Sequence, residues 1–178
     1  KISRLKEISE TAGVIKIGSC CTMTQIAESE LIQTKLKAVM KGVSAIGSVL
    51  VRNRATLGGN ICNGSPAGDS LPSLISYGAS VTLESLAGTR DVLLEDFFTG
   101  PGKTSIKSGE ILSEILLPVP PEGSGADYIQ LGKRKSTEIN VVNVASYISL
   151  NKTNGTIDTA RIALGSVGPT PLRAPVAE

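Results

Sequence analysis

The chain of 178 residues contains no histidine, and that absence removes a whole class of chemistry. Without imidazole there is no Ser-His-Asp or Cys-His nucleophile system and no histidine metal ligand. Cysteine is scarce as well: the adjacent Cys20 and Cys21 and the distant Cys62 supply neither a Cys-x-x-Cys pair nor four cluster ligands. They read as reduced, packed thiols of a cytosolic protein. Charge of one sign is not in excess: 18 Lys and Arg stand against 16 Asp and Glu. The two signs are interspersed, so there is no basic face for nucleic acid and no polybasic segment for a membrane surface. No apolar run approaches the roughly 18 residues that span a bilayer, and the N-terminus lacks the apolar core of a signal peptide. The expected compartment is the cytoplasm, with no membrane insertion. No Walker-A lysine follows the glycines and no Gly-x-Gly-x-x-Gly occurs, so neither a P-loop NTPase nor a Rossmann dinucleotide site is indicated. Any chemistry the chain takes part in must then be carried by a cofactor.

What remains is a sequence able to fold. With 40% hydrophobic and 19% charged residues it can bury a core, and the length fits one domain plus part of another. The chain starts at Lys1 rather than Met and stops at Glu178 in mid-pattern, as a piece of a longer product would. Residues 1–13 read as a helical end finishing at Gly13, followed by a short strand over 14–18. Thr22 with Gln25 makes a capping box for a helix that continues or restarts through Glu30. Leu31, Ile32, Leu36, Val39 and Met40 then recur at helical spacing, a core-facing stripe that ends at Gly42. Residues 79–85 and 90–94 read as paired strands, Phe97 and Phe98 as anchors of a core corner, 99–108 as a loop and 111–117 as a strand. Pro118-Val119-Pro120-Pro121-Glu122-Gly123-Ser124-Gly125 is the clearest linker, and it sets the expected boundary between a domain over 1–118 and a second over 126–178, with 119–125 between them. Strands over 128–133, 141–150 and 156–165 follow, the last two joined by a hairpin at Asn154-Gly155. The basic run Lys133-Arg134-Lys135 reads as solvated loop.

The densest chemistry lies in Arg52 to Asp69. Gly58, Gly59, Gly64 and Gly68, with Asn60, Asn63, Thr56, Ser65 and Asp69, fall within little more than a dozen positions. Such a run cannot be core. Glycines admit positive φ and close approach to bare N–H donors, and successive N–H groups in a turn form an anion-binding concavity. Asp69 is placed to cap a short helix ending at Gly78, and a donor-rich loop feeding a helix suits a phosphate or pyrophosphate. The same residues read equally well as a tight turn and a capped helix with no ligand, and spacing alone leaves both open.

Thr56-Leu57-Gly58-Gly59-Asn60-Ile61-Cys62-Asn63, continuing through Ser65-Pro66 to Asp69, resembles the second FAD-binding motif of the flavoprotein (medium) subunits of molybdenum hydroxylases. That family includes the xanthine, carbon monoxide and nicotinate dehydrogenases. The resemblance runs along the chain in order: Ile17-Gly18 with Thr22, Asp96-Phe97-Phe98-Thr99-Gly100, Gly109-Glu110-Ile111-Leu112, Leu131-Gly132-Lys133-Arg134-Lys135 and Pro169-Thr170-Pro171-Leu172-Arg173-Ala174. It implies an α+β fold, the second subdomain of an FAD-binding domain of the vanillyl-alcohol-oxidase type, followed by the start of a flavoprotein C-terminal domain. In such a fold two glycine-rich loops share the pyrophosphate, and only the second is present. By the same resemblance Ala55, Thr56, Gly58, Gly59 and Asn60 belong to the pyrophosphate and ribityl contacts, and Leu57 and Ser65 count among the cofactor-binding residues. Asp69 is a polar contact, Ile46 and Leu112 are apolar contacts near the rings, and Gln130 stands where xanthine dehydrogenases carry a lysine, which puts a charge-based role there in doubt. The implied function is electron transfer through FAD, with molybdopterin in a large partner subunit and [2Fe-2S] clusters in a small one, and the fragment alone inactive and poorly loaded. A scaffold of this fold that has lost its cofactor is the rival expectation.

Overall fold

The structure, a computed structural model, describes residues 2–134, 137 and 139–178. A 3-10 turn over Ser3–Lys6 opens the chain. The helices are α1 (Met23–Glu28), α2 (Glu30–Lys35), α3 (Lys37–Ala45), α4 (Val49–Arg52), α5 (Leu57–Asn63), α6 (Ser70–Ser76) and α7 (Leu94–Phe97). The strands are β1 (Ile8–Thr11), β2 (Val14–Gly18), β3 (Ser80–Ser85), β4 (Gly88–Leu93), β5 (Phe98–Gly100), β6 (Lys103–Thr104), β7 (Ile111–Pro118), β8 (Ser124–Leu131), β9 (Val142–Leu150), β10 (Ile157–Gly165) and β11 (Leu172–Arg173).

Among the described residues these strands form one antiparallel sheet in the order β1-β2-β7-β3-β4, a second in the order β11-β10-β9-β8, and the ribbon β5-β6. The fold class is α+β, as expected. Alternation along β2 and β7 sends Ile15, Ile17, Ile115 and Leu117 into the core, each fully buried, because successive side chains of a strand face opposite sides. Helices α3 and α6 lie at the junction of the two sheets, α3 against β8 and α6 against β9 and β10. The rings of Tyr77 and Tyr147, 5.4 Å apart and inclined at 55°, pack across the same junction.

Several local expectations hold. Thr22 Oγ1 accepts the Gln25 N–H at 3.2 Å while Gln25 Oε1 accepts the Thr22 N–H at 2.9 Å, a complete capping box for α1. β9 and β10 pair antiparallel around the Asn154-Gly155 turn, with Gly155 at φ +70°. Other expectations fail for identifiable reasons. Residues 2–13 are not a helical end: β1 pairs with β2 through a two-residue turn in which Ala12 (φ +51°) and Gly13 (φ +77°) are both left-handed. Gly13 therefore serves a hairpin of the type I′ class rather than a helix C-terminus. The stripe over 31–40 is broken at Leu36, whose φ of −128° and ψ of 53° separate α2 from α3 and which is itself fully buried. Nor does Gly42 end a helix. It sits inside α3, where a Cβ would lie 2.8 Å from Ser73 Oγ and 3.0 Å from Asp69 O, so its bareness lets α3 press on α6. Part of the expected loop over 99–108 is the β5-β6 ribbon. In the basic run Lys133 and Arg134 are exposed, and Lys135 lies outside the described residues.

Candidate functional site

The glycine run is not an open loop of free donors. Thr56 caps α5, its Oγ1 accepting the Gly59 N–H at 3.1 Å, and Gly64 at φ +61° closes the helix. The neighbouring donors are also engaged: Leu57 N–H donates to Cys21 O at 3.0 Å, Gly58 N–H to Ser19 O at 2.9 Å and Asn60 N–H to Thr56 O at 3.0 Å. Helical pairing, with carbonyls some 36 to 39 positions upstream, has replaced the expected concavity.

The adjacent glycines consequently act on opposite sides. A Cβ on Gly58 would lie 2.7 Å from both the Cβ and the carbonyl oxygen of Ser19, so a bare Cα is what allows α5 to rest on that segment. Gly59 is exposed, and a Cβ there would meet only Thr56 Oγ1, at 3.0 Å. Thr56 Oγ1 is the one neighbour of this open Cα, the Thr22–Thr56 bridge is carried by the N–H groups of Met23 and Leu57 rather than that of Thr56, and the next residue, Asn60, keeps its side-chain Oδ1 on Ser70. A diphosphate fits such a place, since nothing blocks its approach and a hydroxyl flanks it.

Asp69 does not cap α6. Its backbone is already helical (φ −63°, ψ −33°) and its side chain makes no cap bond. The carboxylate turns instead to β8 and β9, where Oδ1 accepts from Asn140 Nδ2 and lies 3.5 Å from both Asn143 Nδ2 and the Tyr128 hydroxyl. That hydroxyl is 3.0 Å from Gln130 Oε1 and accepts from Asn143 Nδ2 at 3.3 Å. A carboxylate at a packed junction loses water and must be given donors by its neighbours. Burial raises the Asp69 carboxyl above its ordinary value, and the donors of Asn140, Asn143 and Tyr128 pull it part of the way back. The other end of α6 is as expected: Gly78 at φ +72° closes it, with Gly78 N–H donating to Ile75 O and Ala79 N–H to Leu74 O, a Schellman motif.

Hydrogen bonds connect most of the site residues inferred from sequence. Ser70 Oγ donates to Asn60 Oδ1 at 2.7 Å, placing Asp69 one residue from a direct tie to α5. Leu112, nearly buried on β7, precedes Ser113, whose carbonyl accepts the Ser19 N–H at 2.9 Å and so reaches Gly58. Gln130, exposed on β8, reaches Asp69 through Tyr128. The Ile46 carbonyl accepts from Arg52 Nη1 at 3.0 Å, which fixes the entry to α4, and the Ala55 carbonyl accepts the Met23 N–H at 3.0 Å. Leu57 is fully buried in the core, and Ser65 bonds within its own turn to the Ala67 N–H. Sequence reading missed Ser19, Ser70, Tyr128, Asn140 and Asn143. The last three lie 59 to 74 positions from Asp69, and only tertiary packing brings them to it. An open depression of about 570 Å3, lined by Lys133, Arg134, Ile139, Asn140 and Val141, adjoins the Asp69 cluster through Asn140. Among the described residues no group of three side chains could hold a metal ion, and no helix is long and apolar enough to cross a membrane.

Residues 1–120 match the family described as the FAD binding domain in molybdopterin dehydrogenase, and residues 127–178 match the CO dehydrogenase flavoprotein C-terminal domain. The xanthine dehydrogenase FAD-binding subunit of Escherichia coli O157:H7 is 36% identical over 167 residues, covering 93% of this chain and 56% of that protein. The nicotinate dehydrogenase FAD-subunit of Eubacterium barkeri is 33% identical over 181 residues, covering 100% of this chain and 61% of its own length. The solved carbon monoxide dehydrogenase from Hydrogenophaga pseudoflava superposes with a TM-score of 0.90 at 32% identity, over 97% of this chain and 59% of that one. The chain thus spans less than two thirds of each of these relatives. On the extent of the first match and the identity to these proteins, the chain belongs to the family of FAD-binding domains of molybdopterin dehydrogenases, here joined to sequence of the CO dehydrogenase flavoprotein C-terminal domain.

Proposed function

We propose that this chain binds FAD as the second half of its cradle, within the flavoprotein subunit of a molybdenum-containing dehydrogenase. The carrying observation is the exposed, open Cα of Gly59 beside the Thr56 hydroxyl at the start of α5. Thr56, Gly59 and Asn60 would hold the pyrophosphate, Gly58 fixes the helix that presents them, and Asp69 would accept from a polar group of the cofactor. Ile46, Ala55, Leu112 and Gln130 would border the rings and ribityl chain. FAD, when bound, would supply redox chemistry between iron–sulfur centres of a small partner subunit and an external acceptor, with molybdopterin in a large subunit. The protein's own part is to bind, orient and exclude water, and no side chain of the chain need act as a general acid or base. Residues 1–118 form the FAD-binding unit and 126–178 the start of the C-terminal unit, with the linker over 119–125 shortened at its end because Ser124 and Gly125 already pair with β9 as the first residues of β8.

The purified complete subunit tests this reading. Flavin absorption bands at one FAD per chain are the expected result, and a colourless protein that takes up no added FAD returns the cofactor-free scaffold.

A further inference from the structure

The Asp69 cluster has an asymmetry that packing alone does not require. Among the described residues the hydrogen bonds to the carboxylate all fall on Oδ1, from Asn140, Asn143 and Tyr128, and none reaches Oδ2. The donors come from the strands β8 and β9 and the segment between them, whereas Asp69 belongs to the unit that carries Gly59. Asn143 is fully buried and Asn140 is 6% exposed, so neither amide has freedom to turn elsewhere. Ser70, the next residue, donates to Asn60 Oδ1 and so ties the start of α6 to α5, the helix that carries Gly59. A carboxylate held by one oxygen has a fixed plane, and its second oxygen is an acceptor aimed in one direction.

The geometry points to Asn140, Asn143 and Tyr128 as positioning residues that act through Asp69, orienting its Oδ2 to accept a hydroxyl or N–H of the bound cofactor. This rests on the FAD reading above and deepens it: the C-terminal unit, which holds no part of the glycine motif, sets the geometry of a contact in the FAD-binding unit. Asn140 is the principal positioner, because it lies at the edge of the open depression as well as on the carboxylate. The single proton of the Tyr128 hydroxyl serves either Asp69 Oδ1, 3.5 Å away, or Gln130 Oε1, 3.0 Å away, so Gln130 competes with Asp69 for it and the two asparagine amides are the carboxylate's independent donors.

A double-mutant cycle in the complete subunit tests it, with FAD affinity, visible circular dichroism of the bound flavin and thermal midpoint measured for Asn140→Leu, Asp69→Ala and the pair. Loss of a buried hydrogen bond to a charged group is expected to weaken FAD binding by about tenfold to a hundredfold in each single variant. The pair is expected to bind no more than about threefold worse than Asp69→Ala alone, since Asn140 would then have nothing to position. Asn140→Gln, which keeps the donor, is expected to recover most of the affinity. Tyr128→Phe removes one hydroxyl with little change in volume and serves if Asn140→Leu does not fold; a changed flavin dichroism with an unmoved midpoint is expected. Additive losses in the pair overturn the inference, as does a lowered midpoint with affinity and dichroism unchanged, for the cluster would then be only a clamp between the two units. A parent subunit that binds no FAD overturns the reading beneath it and the inference together, whereas a parent that binds FAD alongside insensitive variants overturns the inference alone.

Discussion

Gly58 and Gly59 are neighbours in one short helix, yet the structure asks different things of them. Gly58 meets Ser19 on the inside, and Gly59 meets solvent on the outside. Gly58→Ala is therefore expected to cost about 1–3 kcal/mol of stability by overpacking against a backbone that cannot easily withdraw. Urea unfolding would show the loss, and an unchanged midpoint would mean the contact yields cheaply. Glu110 gives a second prediction at this scale. Its carboxylate accepts from Arg90 Nε at 2.7 Å, Arg90 Nη2 at 2.8 Å and the Lys107 N–H at 2.8 Å, and the Arg90 guanidinium with the Lys107 N–H holds the carboxyl down from 4.5 to about 2. A depressed folded value means the stabilisation is present above the unfolded value and is lost as pH falls toward the folded one. Glu110→Gln should accordingly flatten the fall in stability between pH 4.5 and about pH 2, as read from unfolding midpoints across that range. An acid limb identical to the parent's would show that the pair is screened.

At the level of elements, the β1-β2 hairpin turns on Ala12 and Gly13, both at positive φ. Asn tolerates that region better than Ala, and Asn-Gly is the favoured pair in such turns. Ala12→Asn is expected to stabilise the protein by about 0.5–1 kcal/mol, seen as a raised thermal midpoint; a lowered midpoint would contradict the turn assignment. The same hairpin shows where sequence reading reaches its limit. Elements whose signals are local were legible: the Thr22–Gln25 capping box, the Asn154-Gly155 hairpin and the Gly78 helix end each depend on residues a few positions apart. Gly13 and Gly42 misled because a glycine records a need for a bare Cα without recording which need. One serves a turn, the other a helix crossing. Asp69 misled for a related reason. Its position before a helix matches a cap, but tertiary packing offers it amides that the sequence holds 71 and 74 positions away. The glycine motif is read as a site from its resemblance to a family, while its helical form, with the first N–H groups taken by the carbonyls of Ser19 and Cys21, is not legible locally.

For the whole molecule, the two sheets meet at α3 and α6, and the residues proposed to face FAD are drawn from both sides of that junction. Affinity for a dinucleotide held by two loops comes from both, and one loop leaves part of the pyrophosphate in water, where charge-assisted contacts weaken. Residues 1–178 by themselves are expected to fold and to bind FAD weakly, with a loss of about 4 kcal/mol corresponding to roughly a thousandfold in affinity relative to the complete subunit. Fluorescence titration checks it: stoichiometric binding at micromolar concentration would mean that the second loop suffices. The most direct test of the site itself is the flavin content of the complete subunit carrying Gly59→Val, read as the ratio of flavin to protein absorbance and accompanied by a thermal midpoint. A branched side chain on the open Cα is expected to abolish flavin binding while the midpoint stays close to the parent's; the parent's full flavin content in that variant would contradict the placement of the cofactor over Gly59.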